Sequence, residues 1–180
     1  MPRRFHDAEE LFPPATALKR ALAIIYDGLI SIAVLLVATW LYTMLAGWLT
    51  GWDKYEQMAE AGELSGDPGL TFVLFLVLYL FFAYFWTRIG QTLGMQVWRI
   101  RIENLDGTSV SWTQALLRYG TAAVAIFIAL VAGYYLGPVT LFLTVPLIVA
   151  LFSPINGLSV TDRVSGSVVV HVPKEVRKQA

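Results

Sequence analysis

The chain has 180 residues, 57% of them hydrophobic and only 14% charged, against about a quarter charged in a soluble domain, so the composition points to a membrane protein. Thirteen basic and thirteen acidic side chains cancel, so nothing in the balance attracts nucleic acid, and no nucleic-acid partner is expected. The absence of cysteine excludes disulfides, thiolate metal sites and a cysteine nucleophile.

Residues 1–16 are polar, mixed in charge and broken by Pro13-Pro14, which reads as a short cytosolic arm leading into the first helix. The apolar run that follows, about residues 18–49, is far longer than the core of a signal peptide and is expected to stay as an anchor. Its only charges are Lys19, Arg20 and Asp27, all near the start. Residues seven apart return to nearly the same helical face, so Arg20 and Asp27 share a stripe, and Ser31 continues it. If the hydrocarbon begins near Ala21, Asp27 lies roughly 9 Å inside it at about 1.5 Å per residue. A carboxylate at mid-span costs about 2.5 to 3.5 kcal/mol on insertion scales, so Asp27 should face protein or water and have a partner, with Arg20 or Arg118 within reach.

Trp40, Tyr42 and Trp48 are candidates for the outer aromatic belt. Beyond them Asp53, Glu56, Glu60, Glu63 and Asp67 recur at steps of three and four, which aligns them on one face of a short external helix. Such a run is ordinarily a solvated face rather than a cation-collecting surface. Residues 70–87 form a second apolar run of about the minimum spanning length.

From Gly90 to Trp112 the pattern changes. Trp98, Ile100 and Ile102 alternate with Arg99, Arg101 and Glu103, a period of two that predicts an amphipathic strand over about 97–103. Asp106-Gly107 supplies a turn, so 108–110 is expected to return as a second strand of a hairpin on the cytosolic membrane surface. Ser111 and Gln114 match a capping box, opening a third span over about 112–133 that carries Arg118. A fourth span is expected over about 138–156, kinked by Pro146 and Pro154. The β-branched run at 167–172 ends at Pro173 and could join the hairpin as a third strand. Residues 173–180 form a basic tail. Lys174 and Arg177, together with Arg99 and Arg101, are the membrane-surface basic residues on this reading.

Of the thirteen lysines and arginines, only Lys54 falls in a proposed external loop, so both termini and the middle loop are expected in the cytosol. The expected architecture is an all-α membrane protein, a four-transmembrane-helix bundle with a small cytosolic-side β hairpin or three-stranded sheet.

Arg20, Asp27 and Asp162, together with Gly90-Gln91-Thr92-Leu93-Gly94, the Val97 to Gly107 segment and the run from Asp162 to Val169, resemble the RDD family of bacterial membrane proteins. The likeness extends from about Ala17 to Val172, which makes 17–172 one transmembrane domain. It implies that Arg20, Asp27 and Asp162 are the residues for which the family is named, and a bacterial inner (cytoplasmic) membrane location. Cation/proton exchange has been proposed for the family. This chain departs from the pattern at Met95 and Gln96, where a basic pair often follows the glycine. It departs again at Thr161, where a histidine often precedes the aspartate, and threonine has no group to relay a proton.

Two functions follow. In the first, Asp27 alternately binds a proton and a monovalent cation, Asp162 is a second carboxylate near the cytosolic mouth, and Arg20 or Arg118 sets their charge. Four spans are few for a transporter and no inverted repeat is visible, so that reading expects a homo-oligomer in the lipid bilayer. In the second, Arg20, Asp27, Arg118 and Asp162 are a buried polar cluster that fixes helix packing in a structural or accessory protein. An enzyme is not expected: His6 and His171 lie far apart, with no metal-ligand spacing and no nucleophile beside them, and neither metal nor cofactor is implied.

Overall fold

A computed structural model describes residues 3–6, 12–137, 152–154 and 157–173. The chain divides into two compact units, Met1–Asp27 with Phe82–Ala180, and Gly28–Phe81. The helices are α1 (Ala17–Thr50), α2 (Trp52–Glu60), α3 (Pro68–Arg88), α4 (Leu93–Val97), α5 (Trp112–Leu136) and α6 (Val160–Ser165); the strands are β1 (Ile100–Glu103) and β2 (Val168–His171). Among the described residues, three helices, α1, α3 and α5, are long and apolar enough to cross a membrane. They expose large apolar side chains such as Leu36, Phe72 and Phe127, as surfaces solvated by acyl chains do. Most of the expected fourth span, 138–156, lies outside the described residues, as does the tail with Lys174 and Arg177.

In the Gly28–Phe81 unit the chain leaves α1 through Gly51, whose φ of 85° suits a residue without a Cβ, and enters α2. Asp53, Glu56 and Glu60 are exposed on α2, which buries nothing. Glu63 and Asp67 lie beyond its end, so the expected single acidic face of five residues is not formed. Asp67 instead caps the next helix: its Oδ1 accepts from Gly69 N at 2.8 Å, opening α3, and its Oδ2 accepts from the Tyr42 hydroxyl at 2.7 Å.

In the other unit, β1 pairs antiparallel with β2 in the register Ile100↔His171, Arg101↔Val170, Ile102↔Val169, Glu103↔Val168. The expected hairpin between 97–103 and 108–110 is therefore corrected. Val97 belongs to α4, and Arg99, at φ 53°, turns the chain into β1. The 104–108 turn closes with Asn104 N donating to Thr108 O at 2.9 Å, after which Thr108 pairs with Arg4 instead of running back along β1. The amino-terminal arm is woven into this surface. Phe5 N donates to Gly107 O and Ser109 N to Arg3 O, while Ala15 N donates to Val169 O and His171 N to Pro13 O. The arm's second segment thus lies on the edge of β2 opposite β1 and satisfies backbone groups that would otherwise be left open.

All four residues of β1 are buried, which corrects the amphipathic reading of that strand. Burial of Arg101 and Glu103 is tolerated because the two form an ion pair, Nε to Oε2 at 2.7 Å. The arm rings Phe5 and Phe12 lie 4.5 and 5.6 Å from the Arg101 guanidinium carbon. Ile100 and Ile102 join Ala15, Ala23, Val110 and Val169 in the core, flanked by Trp86, Met95 and Trp98. Alanine at positions 15 and 23 leaves room for the sheet to approach the start of α1.

Candidate functional site

The site is built on a six-residue helix. Ser159 is the N-cap of α6: its Oγ accepts from Asp162 N at 3.2 Å, while Asp162 Oδ2 accepts from Ser159 N at 2.9 Å, a reciprocal capping box. Gly166, in the left-handed region at φ 63°, ends the helix, and Ser167 N donates back to Asp162 O at 3.1 Å. Asp162 is thereby fixed in backbone and side chain, with 1% of its surface exposed.

Two guanidinium groups close on that carboxylate. Arg20 Nη1 donates to Oδ2 at 2.6 Å from α1, and Arg118 Nη1 donates to Oδ1 at 2.8 Å from α5. Both arginines are themselves buried. Burial by itself would raise the Asp162 carboxyl. Arg118 and Arg20, with the Ser159 amide, outweigh it and hold the carboxyl below the usual carboxylate range. Arg20 also donates through Nε to Ala15 O at 3.2 Å and through Nη2 to Val169 O at 3.3 Å, tying α1 to the arm and to β2. Arg118 Nη1 further reaches Ser167 Oγ at 2.7 Å and Ser165 Oγ at 3.3 Å, and Ser165 Oγ donates to Thr161 O at 2.7 Å. Two cations share one anion, and both carboxylate oxygens are occupied by arginine donors.

Asp27 stands apart from this clasp. It is 6% exposed, accepts from Thr92 Oγ1 at 2.5 Å and from Gly94 N at 2.8 Å, and pairs with no arginine among the described residues. The expectation that Arg20 or Arg118 would serve Asp27 is corrected: both serve Asp162. Helical side chains lean toward the helix N-terminus, so Arg20 reaches back to Ala15 and away from Asp27, which lies further along α1. Thr92 both donates to Asp27 and, as N-cap of α4, accepts from Met95 N at 3.2 Å. Gly94 has to be glycine here, because a Cβ would collide with the Ala23 carbonyl oxygen and stand 2.9 Å from Asp27 Oδ1. Ser31, one turn further along α1, is buried, and its hydroxyl makes no hydrogen bond among the described residues.

The four basic residues expected at the membrane surface separate. Arg101 is only 6% exposed and is enclosed by Glu103, Phe5 and Phe12, which removes it from any headgroup-facing role. Arg99 is half-buried, with its carbonyl accepting from Val172 N at 2.8 Å; Lys174 and Arg177 lie outside the described residues. Glu103 also meets His6 Nε2 at 2.9 Å. The described residues contain no grouping of His, Asp and Glu able to hold a metal ion. Thr92, Gly94, Ser159, Ser165 and Ser167 complete the two sites; all but Ser159 fall in the segments that carry the family resemblance, but none was expected as a site residue. The Ser159-x-x-Asp162 spacing is nevertheless the same kind of capping signal as Ser111-x-x-Gln114.

The RDD family model matches residues 14–166, an interval that includes Arg20, Asp27, Arg118 and Asp162. The chain belongs to the RDD family. No curated protein and no solved structure matches it.

Proposed function

We propose that this is a non-enzymatic integral protein of the bacterial inner membrane, with both termini cytosolic, in which the Arg20–Asp162–Arg118 clasp is a fastening between helices and not an ion path. The observation that carries this reading is the saturation of Asp162, whose two oxygens each accept from a different buried arginine. A carboxylate that exchanges ions must release its counter-ion at low cost. Removing one partner of a buried pair costs about 3 to 5 kcal/mol, because an uncompensated charge remains. The function is then that of a structural or accessory component whose outward faces, apolar over α1, α3 and α5, meet lipid or a second copy of the chain.

A second reading, exchange of a proton for a monovalent cation, is favoured at Asp27 alone. That carboxylate is buried in a lipid-spanning segment with two hydrogen-bond donors and no cationic partner among the described residues, so a proton or a cation could neutralise it. The test is cation-dependent proton movement in proteoliposomes, comparing the parent chain with Asp27→Asn. No flux from well-folded parent protein supports the accessory reading; flux lost in Asp27→Asn at unchanged folded yield replaces it with exchange.

A further inference from the structure

α4 and α6 are too short to span anything, yet each turns an aliphatic pair away from the protein. Leu93 and Val97 are 43% and 55% exposed on α4, where Gly94 between them is buried; Val160 and Val164 are 43% and 49% exposed on α6, whose Thr161, Asp162 and Ser165 are buried. Both pairs have i,i+4 spacing, which places each pair on a single helical face.

The attachments of these helices to α1 fix their depth. α4 is held at the level of Ala23 and Asp27 by the Gly94 N–H and the Thr92 hydroxyl. α6 is held through Asp162 to Arg20, whose guanidinium reaches back to Ala15 O. With about 1.5 Å of rise per residue, α4 sits roughly 10 Å further along α1 than α6. At those same levels α1 itself exposes Leu18, Ile24 and Ile25. The aliphatic pairs therefore continue an apolar belt that α1 has already begun. The same unit carries exposed residues of the types that favour a membrane interface: Trp112, 46% exposed at the start of α5, Arg88 at the end of α3 and Arg163 on α6.

From this we propose that α4 and α6 are in-plane helices of the cytosolic leaflet. Leu93 and Val97 insert among the acyl chains, Val160 and Val164 seat at their upper edge, and Arg88 and Arg163 lie among anionic headgroups. The occupant of this face is lipid, and the proposal rests on the reading that α1, α3 and α5 span a bilayer.

The chain has no cysteine, so single-cysteine variants carry one nitroxide label each without further changes. Leu93→Cys, Val97→Cys, Val160→Cys and Val164→Cys are labelled in nanodiscs of phosphatidylethanolamine and phosphatidylglycerol. Leu36→Cys on α1 is the spanning reference and Leu105→Cys, on the 75% exposed turn leucine, the aqueous one. Relaxation by oxygen, which partitions into lipid, is compared with relaxation by a water-soluble nickel chelate. The four sites are expected to show an oxygen-to-nickel ratio several-fold above that at residue 105, higher at 93 and 97 than at 160 and 164. Nickel-dominated relaxation at the four sites, with residue 36 still oxygen-dominated, overturns the proposal and leaves the spanning reading intact. Shielding from both reagents overturns it in favour of a protein partner. Nickel-dominated relaxation at residue 36 removes the spanning reading itself, and the proposal with it. If one labelled variant does not incorporate, its i,i+4 neighbour reports the same face.

Discussion

Arg20 and Asp27 lie on one stripe of α1 yet turn to different partners: Arg20 bonds Asp162 at 2.6 Å, and Asp27 accepts from Gly94 N at 2.8 Å. Two turns of a single helix thus anchor two short helices, α6 through a charge and α4 through hydrogen bonds from the Thr92 hydroxyl and the Gly94 amide. The Asp27 carboxyl is left without a cation among the described residues, whereas the Asp162 carboxylate has two. Different consequences follow for removing each.

Substitution at Asp162 leaves two buried guanidiniums without their anion. Asp162→Ala is expected to lower stability by about 3 to 5 kcal/mol, read as a loss of folded, monodisperse protein in detergent. Arg118→Ala should cost less than Asp162→Ala, because the carboxylate keeps Arg20 and the Ser159 amide as partners. An Asp162→Ala chain as stable as the parent would remove the clasp from any account of this fold.

The same carboxyl makes stability depend on pH. Its folded-state pKa is depressed, so the unfolded chain binds the proton more readily as pH falls. The stabilising contribution is therefore complete above the ordinary carboxylate value of about 3.9 and is lost as pH drops below it, toward the folded value. Tm measured between neutral pH and about pH 3 should fall at the acid end in the parent chain. In Asp162→Asn that part of the fall should be missing, from a lower starting Tm. A parallel pair of curves would contradict the assignment.

Position 94 tests close packing without removing a charged group. A methyl group there meets the Ala23 carbonyl and the Asp27 carboxylate, so Gly94→Ala should lose about 1 to 3 kcal/mol through the displacement of α4. Gly28→Ala is the control on the neighbouring turn of α1, since a Cβ at residue 28 meets nothing within 4 Å. In mid-helix that change should be neutral or stabilising by about 0.5 to 1 kcal/mol. Thermal unfolding followed by tryptophan fluorescence distinguishes the two, and equal Tm values would place α4 elsewhere.

What the sequence made legible was local. The apolar runs of α1, α3 and α5 and the Ser111–Gln114 capping box are properties of neighbouring residues, and they read correctly. The sheet read only in part: the β-branched run at 167–172 is a strand that joins 100–103, as expected, but its pairing there in place of 108–110 did not read, because no periodicity near Ile102 or Val169 reports a pairing across that separation. The alternation around Arg101 and Glu103 looked like a solvated face because charged residues usually are solvated. Here the arm lies over the strand, and the two charges pair with each other while His6 of the arm meets Glu103. Arg20, Asp27, Arg118 and Asp162 could be picked as charges beside or within apolar runs, but the choice of partner depended on the N-terminal lean of Arg20 and on the backbone fixing of α6.

The arm supplies the last prediction. Phe5 and Phe12 lie against the Arg101 guanidinium, while Ser109 N and His171 N donate to the carbonyls of Arg3 and Pro13. Replacing both rings in Phe5→Ala/Phe12→Ala removes the cation–π contacts and the apolar cover without altering a hydrogen-bonding group. The arm should then open locally, so the amides of Ser109 and His171 should exchange with deuterium faster by at least tenfold. Amides bonded between β1 and β2 should stay slow, because that ladder has its own register and buried isoleucines. Protection lost together across the arm and the ladder would mean that the sheet exists only with the arm in place, and that the strands and the arm fold as one cooperative piece.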